Sequence, residues 1–207
     1  MKVIRPTVIV EHLEPCLTPW LLKEYEFVSS VVSPERLLFT NVPPAHADAL
    51  TKYGRVTEKR VWEIAHRGTD VIILDPVAEE ALRPEEVAEA EYVVIGGIMG
   101  DHPPKKRTWA EITSRMPWAK ARNIGKGQLT IAGAAYVLMR VARGARLEEL
   151  DLREGLTIEV SMPGGLTLEV ELPYVFPYEE GKPVLPQGYV DVVARKTIYY
   201  ERDPCIG

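Results

Sequence analysis

The run Tyr92-Val93-Val94-Ile95-Gly96-Gly97-Ile98-Met99-Gly100-Asp101-His102-Pro103-Pro104 is an apolar strand that empties into three glycines within five residues. Such a loop invites a dinucleotide reading. Pyrophosphate capture needs the glycines to lead directly into a helix whose first amides face the phosphates, and Pro103-Pro104 prevents a helix from starting there. What remains is bare backbone at a strand end, able to press against a flat or neutral ligand such as an adenosyl group. A second segment, Arg122-Asn123-Ile124-Gly125-Lys126-Gly127-Gln128-Leu129-Thr130-Ile131-Ala132-Gly133-Ala134-Ala135, also feeds a helix start. Its Gly125-Lys126-Gly127 lacks the spacing of a P-loop. Two such loops after two buried strands suit opposite walls of one pocket at the carboxyl edge of a sheet.

The elements that must hold these loops are legible as an alternation of short β-branched runs with amphipathic stretches, the pattern of an α/β fold with a mostly parallel sheet and helices on both faces. Strands are expected over 7–11, 37–41, 70–74 and 92–95. Val71-Ile72-Ile73-Leu74 and Tyr92-Val93-Val94-Ile95 show no polar alternation, which marks central strands and the floor of a site. Helices are expected over 18–31, 45–53, 61–66, 79–90 and 131–143, with Pro84 interrupting or restarting the fourth. The small residues Ala132-Gly133-Ala134-Ala135 permit close backbone approach, either to the sheet or to a ligand.

After Leu150 the pattern changes to period two. Leu156, Ile158 and Val160 alternate with Thr157, Glu159 and Ser161, Pro163-Gly164-Gly165 turns the chain, and Leu166, Leu168 and Val170 repeat the alternation. This predicts a β-hairpin near 156–172 with one wet face. A connection rich in proline (Pro173, Pro177, Pro183, Pro186) and a last strand over 189–200 follow. The reading is one domain over 1–207, with 156–188 as a hairpin arm or insertion.

The 207 residues carry 25 Lys and Arg against 30 Asp and Glu, a net charge of −5, the wrong sign for a protein held on nucleic acid by bulk electrostatics. Local basic groups remain: Lys105-Lys106-Arg107 beside the glycine loop, and Lys120, Arg122 and Lys126 before the second. No apolar run approaches the ~18 residues of a membrane span. The opening Met1-Lys2-Val3-Ile4-Arg5-Pro6 lacks a signal-peptide pattern, so the expected compartment is the cytoplasm. Cys16 and Cys205 are too few for a disulfide scaffold or a four-ligand zinc site; two free thiols are expected, with a single bridge as the alternative. His12 beside Glu11 and His102 beside Asp101 are weak as a metal pattern, and no metal is expected.

A glycine loop after a central strand, followed by Ile124-Gly125-x-x-x-Leu129-Thr130-x-x-x-Ala134 entering a helix, resembles the C-terminal knot of SPOUT-class S-adenosylmethionine (SAM) dependent methyltransferases. These thread a trefoil knot, an exception to the rule against knotted connections. Val10-Glu11-His12-Leu13-Glu14, Trp20, Glu24-Tyr25, Leu74-Asp75-Pro76, the string from Gly96 to Pro104 with Arg107-Thr108, and Arg122 to Thr130 together look like one branch of that class. This is the archaeal and eukaryotic family long labelled SAM-dependent RNA methyltransferase, whose yeast member is a protein-arginine methyltransferase acting on a small-subunit ribosomal protein.

The resemblance implies SAM as methyl donor, held by Leu74, Asp75 and Pro76, by Gly96, Gly97, Ile98 and Gly100, and by Leu129, Thr130, Ile131, Ala132 and Ala134. It implies an arginine of a ribosomal protein as acceptor. Guanidinium must be oriented and lose a proton around transfer, tasks for carboxylates, which makes Glu11, Glu14 and Asp101 the candidate catalytic groups. Asp101 has a structural alternative in fixing its turn, and Glu11 and Glu14 have one as strand-end charges or caps. The rival acceptor is RNA, with Lys105, Lys106 and Arg107 as the substrate-binding cations. Monomer and homodimer are both compatible with the sequence.

Overall fold

A computed structural model describes residues 5–161, 164–197 and 205–206. Six segments build the main sheet: β1 (Thr7–His12), β2 (Leu37–Thr40), β3 (Arg55–Val56), β4 (Val71–Leu74), β5 (Tyr92–Gly97) and β6 (Lys120–Arg122). Their order is β3-β2-β1-β5-β4-β6, and every neighbouring pair is parallel. Val71–Leu74 pairs residue for residue with Tyr92–Ile95, which delivers the loops after β4 and β5 to the same edge. All of β4 is buried, as an unbroken apolar run between two covered faces requires.

The connecting helices are α1 (Pro19–Val32), α2 (Pro44–Leu50), α3 (Val61–Ile64), α4 (Pro84–Glu89), α5 (Arg107–Glu111) and α6 (Ile131–Ala142). The strand pleat sorts the core into two layers. Val8, Val10, Val93 and Ile95 face α1 and α6, packing with Leu21, Tyr25 and Leu138, whereas Ile9, Val94 and Ile73 point the other way, toward Val61, Ile112 and Met116. Each long helix starts on a threonine: Thr18 Oγ1 accepts the Leu21 amide at 3.1 Å, and Thr130 Oγ1 accepts the Gly133 amide at 3.1 Å. A second, antiparallel sheet holds β7 (Asp151–Ser161), β8 (Thr167–Glu179) and β9 (Lys182–Pro183).

Several expectations need correction. The helix placed over 79–90 begins only at Pro84, because Ala81 bridges to Asn123 and the Leu82 amide donates to the Asn123 carbonyl, which holds the preceding residues extended. Pro173 and Pro177 lie inside β8 rather than in a connection. The register shifts between Glu154 and Leu156, so Pro173 faces a bulge at Gly155 (φ +79°), where no ladder amide is needed.

The strand placed over 189–200 is a helix, α7 (Tyr189–Thr197), within the described residues. Its valines favour a strand locally, but Tyr189 and Val193, four apart, bury together against Trp20, Ile158, Leu172 and Phe176, and that packing selects the helical period. Residues 198–200 of the expected strand and Pro163 of the hairpin turn lie outside the described residues. The two cysteines are not free: Cys16 and Cys205 form a disulfide across a sequence separation of 189. The neighbouring Ile206 amide donates to the Leu17 carbonyl at 2.8 Å, so backbone pairing brings the tail to the start of α1, an adjacency that spacing in sequence does not encode.

Candidate functional site

A cavity of about 250 Å³ opens at the carboxyl ends of β4 and β5. The end of β4 contributes Leu74, Asp75 and Pro76; β5 and its loop contribute Ile95, Gly96 and Ile98; the approach to α6 contributes Ile124, Leu129, Ile131 and Ala134. The two glycine loops therefore meet across one space. Its inner walls are mostly aliphatic with polar and charged groups toward the rim, and backbone is bared at Gly96, Gly125 and Gly127. At Gly96 a Cβ would stand 3.2 Å from both Ile98 Cδ1 and Thr108 Oγ1, so a side chain there would crowd these two and require them to shift.

Four of the expected cofactor residues stand elsewhere. Gly97 packs under α1, where a Cβ would meet the Tyr25 hydroxyl and the Glu11 carbonyl, so its glycine serves the core. Ala132 is buried with its amide bonded to Glu24 Oε2 at 2.7 Å. Gly100 and Thr130 line a second, smaller cavity that shares the walls Ile98 and Ile131 with the first.

The three candidate carboxylates separate. Glu11 is fully buried: Oε2 accepts Thr40 Oγ1 at 2.6 Å and the Val61 amide at 2.9 Å, and Oε1 lies 3.0 Å from Arg60 Nε. Burial holds its pKa above the ordinary value against these partners. It joins β1 to β2 and α3, and it does not line the cavity. Beside it His12 donates or accepts at Tyr25 and His46, and burial, then His46, pushes its pKa down to about 4, so the ring is neutral. Glu14 also points away from the cavity: Oε1 accepts the Met99 amide at 3.0 Å and Arg107 Nη1 at 2.7 Å, pinning the glycine loop to α5. Asp101 does line the cavity and pairs with Lys105 at 2.9 Å. Asp75 lines it too, but its oxygens accept the Val77 amide and the Thr113 hydroxyl.

Lys105, Lys106 and Arg107 reach the rim. Arg107 is engaged by Glu14, by Glu111 and by the Leu13 carbonyl. Arg122 is likewise held by Glu86 and Glu80. Arg107 and Arg122 are thus spent on internal carboxylates.

Sequence reading missed Thr108 and Gln128 in the first cavity and Tyr174 and Tyr189 in the second, which arrive from α5, the second loop, β8 and α7. It quoted Trp20 and Glu24 without giving either a site role. Both line the second cavity, and a signal existed: Glu24 falls on the buried stripe of α1 with Trp20, Leu21, Tyr25 and Val28, where a lone carboxylate is out of place. Burial pushes the Glu24 pKa up to about 7 against the opposing Ala132 amide and neighbouring hydroxyls. Among the described residues no group of three His, Cys, Asp or Glu is placed to hold a metal.

A parallel sheet with an aliphatic, glycine-walled cavity between the loops after β4, β5 and β6 defines an α/β fold of the SPOUT class. A dual specific Trm10 of Thermococcus kodakaraensis shares this fold at a TM-score of 0.55 and 20% identity, over 70% of this chain and 96% of that one. The family described as SFM1-like, protein arginine N-methyltransferase SFM1-like, matches residues 7–200, and the chain belongs to it. Protein arginine N-methyltransferase SFM1 of Saccharomyces cerevisiae is 29% identical over 201 residues, covering 90% of this chain and 93% of the yeast protein. A crystal structure of yeast SFM1 complexed with SAM superposes with a TM-score of 0.81 at 26% identity, over 94% of this chain and 92% of that one.

Proposed function

We propose that the chain transfers a methyl group from SAM to an arginine side chain of a protein. The observation that carries the cofactor half is the aliphatic cavity at the sheet edge: Ile98, Leu129 and Ile131 offer apolar faces to a purine, and the bared backbone around Gly96 and Gly125 offers the donors and acceptors its edge needs. When bound, SAM supplies an electrophilic methyl on a sulfonium, so alignment provides most of the acceleration. The chain's own part is to fix both reactants. Glu14 and Arg107 hold the glycine loop, and Asp75 holds the loop after β4 through Val77 and Thr113.

The state of the rim favours a protein acceptor over RNA. The Arg107 and Arg122 guanidiniums are already bound to carboxylates and have little left for phosphate, while the net charge of −5 suits a cationic partner. A ribosomal protein is the acceptor class we assign, with the chain acting in the cytoplasm. We read 1–207 as one domain with 156–188 as its arm. We also read residues 119–131, laid beside the 75–82 segment through the Arg122, Asn123, Ala81 and Leu82 backbone bonds, as the threaded part of a trefoil knot. Calorimetric titration with S-adenosylhomocysteine (SAH) tests the cofactor half. Wild type binds, and Ala134→Leu, which fills the cavity from α6, binds at least tenfold more weakly with unchanged melting temperature. A wild type that binds no SAH overturns the proposal.

A further inference from the structure

The second cavity, about 20 Å³, lies against the first and shares Ile98 and Ile131 with it. Its remaining walls are Trp20 and Glu24 from α1, Tyr174 from β8, Tyr189 from α7, and Met99, Gly100 and Thr130. Glu24 is 1% exposed, Tyr189 1% and Trp20 7%. Trp20 Nε1 and Tyr189 Oη are buried and directed at the Glu24 carboxylate, neither in a close hydrogen bond. Buried polar groups left open in this way are uncommon and point to a ligand.

The surroundings already attract a cation. Lys196 Nζ sits 5.2 Å from the Trp20 ring centroid, and Trp20 meets Tyr189 edge to face at 5.7 Å. Tyr174 Oη donates to the Gly100 carbonyl at 2.8 Å, which ties this aromatic wall to the loop that carries Asp101. The cavity as it stands holds about one water, and Met99, unbranched and partly exposed, is the wall best able to shift for a larger planar group.

We infer that this cavity is the seat of the acceptor guanidinium, with Glu24 as the carboxylate that binds it and receives its proton. The inference rests on the arginine-methyltransferase reading and adds a residue to it. The acceptor nitrogen bonds the donor's methyl carbon, the pair of the broken carbon–sulfur bond stays on sulfur, and the proton released by nitrogen passes to Glu24. A carboxylate bound to guanidinium on one face of an aromatic box is a geometry that lysine cannot match, which makes the seat selective for arginine. Tyr189 Oη is free to accept a further guanidinium N–H. The second Glu24 task, accepting the Ala132 amide, holds the start of α6 and thereby a wall of both cavities.

The test uses the full chain loaded with SAH, and N-acetyl-arginine methylamide as the probe, with its citrulline analogue as the uncharged control. The Trp20 indole resonance, assigned with Trp20→Phe, is followed by NMR. Glu24→Gln keeps an acceptor for Ala132, so its fold and SAH affinity are expected to stay within twofold of wild type. The arginine amide is expected to shift the resonance saturably, the citrulline analogue not, and Glu24→Gln to weaken binding at least tenfold and methyl transfer at least a hundredfold. Tyr189→Phe, with the ring retained, raises KM several-fold with a smaller change in kcat.

The pH profile separates this role from a structural one. The titratable groups coupled to Glu24 are Tyr174 on β8, Tyr189 on α7 and Tyr25 on its own helix, all with pKa values raised by burial, and the charged group beside them is Lys196 on α7, over the Trp20 ring. Wild-type kcat/KM therefore rises through pH 7, and that limb is lost in Glu24→Gln. Wild-type arginine methylation with Glu24→Gln unchanged in affinity, rate and pH profile overturns the seat and leaves the function standing. Transfer to RNA alone, with no response to the arginine amide, overturns both.

Discussion

Replacing Glu14 by alanine removes one acceptor shared by two donors, the Met99 amide at 3.0 Å and the Arg107 guanidinium at 2.7 Å. Leaving a part-buried amide without a partner costs about 1–3 kcal/mol. The Arg107 pair adds about 1 kcal/mol or less, because its side chains are 25% and 18% exposed and Arg107 keeps Glu111 and the Leu13 carbonyl. The expected loss of folding stability is therefore about 1–4 kcal/mol. Met99 follows Ile98, which lines both cavities, so part of the loss falls on ligand binding. If about 1.4 kcal/mol of it does, the SAH Kd rises about tenfold. Urea denaturation and SAH calorimetry on Glu14→Ala, Glu14→Gln, Arg107→Ala and the double variant measure both parts. Glu14→Gln keeps an acceptor for the Met99 amide and recovers a share of the stability. Wild-type SAH affinity in a folded Glu14→Ala, or no coupling between Glu14 and Arg107, refutes the claim that this carboxylate holds the loop.

Glu11→Gln is expected to cost about 1–3 kcal/mol, because Gln can satisfy only part of the Thr40, Val61 and Arg60 donors while Arg60, 30% exposed, is reached by water, with SAH affinity unchanged in the folded fraction, measured by denaturation and calorimetry together. Reduction of Cys16–Cys205, or Cys16→Ser with Cys205→Ser, removes the constraint on a long loop and is expected to cost about 2–5 kcal/mol, lowering the melting temperature by roughly 10 °C in scanning calorimetry. Glu24 has its folded pKa raised, from 4.5 to about 7, so its contribution to stability is complete below pH 4.5 and is lost as pH rises through 7. The loss is about 3 kcal/mol. Denaturation at stepped pH should show that slope in wild type and a flatter one in Glu24→Gln.

The parallel sheet was readable because β4 and β5 are buried on both faces and therefore carry unbroken apolar runs, and because Pro103-Pro104 ruled out a phosphate loop before any contact was known. The sheet-edge cavity was readable for the same reason: it is bounded by the ends of those strands and by the start of α6. The surroundings of Glu11 were not legible because position at a strand end does not say which way a side chain points; the pleat turns it inward, to Thr40 and Arg60. The second cavity was hidden because it is assembled from α1, β8 and α7, three elements distant in sequence. Its last contributor, α7, is rich in β-branched residues and becomes helical only by packing on Trp20 and the hairpin strands. The disulfide was hidden likewise, since the cysteines meet through contacts distant in sequence, among them the Ile206 to Leu17 backbone bond and the packing of Ile206 on the core.

The most direct measurement is transfer of label from methyl-tritiated SAM into a ribosomal fraction, followed by separate protease and nuclease digestion and amino-acid analysis. The account predicts label released by protease and recovered as methylarginine, lost in Glu24→Gln. Label released by nuclease alone, or no transfer by a chain that binds SAH, contradicts it.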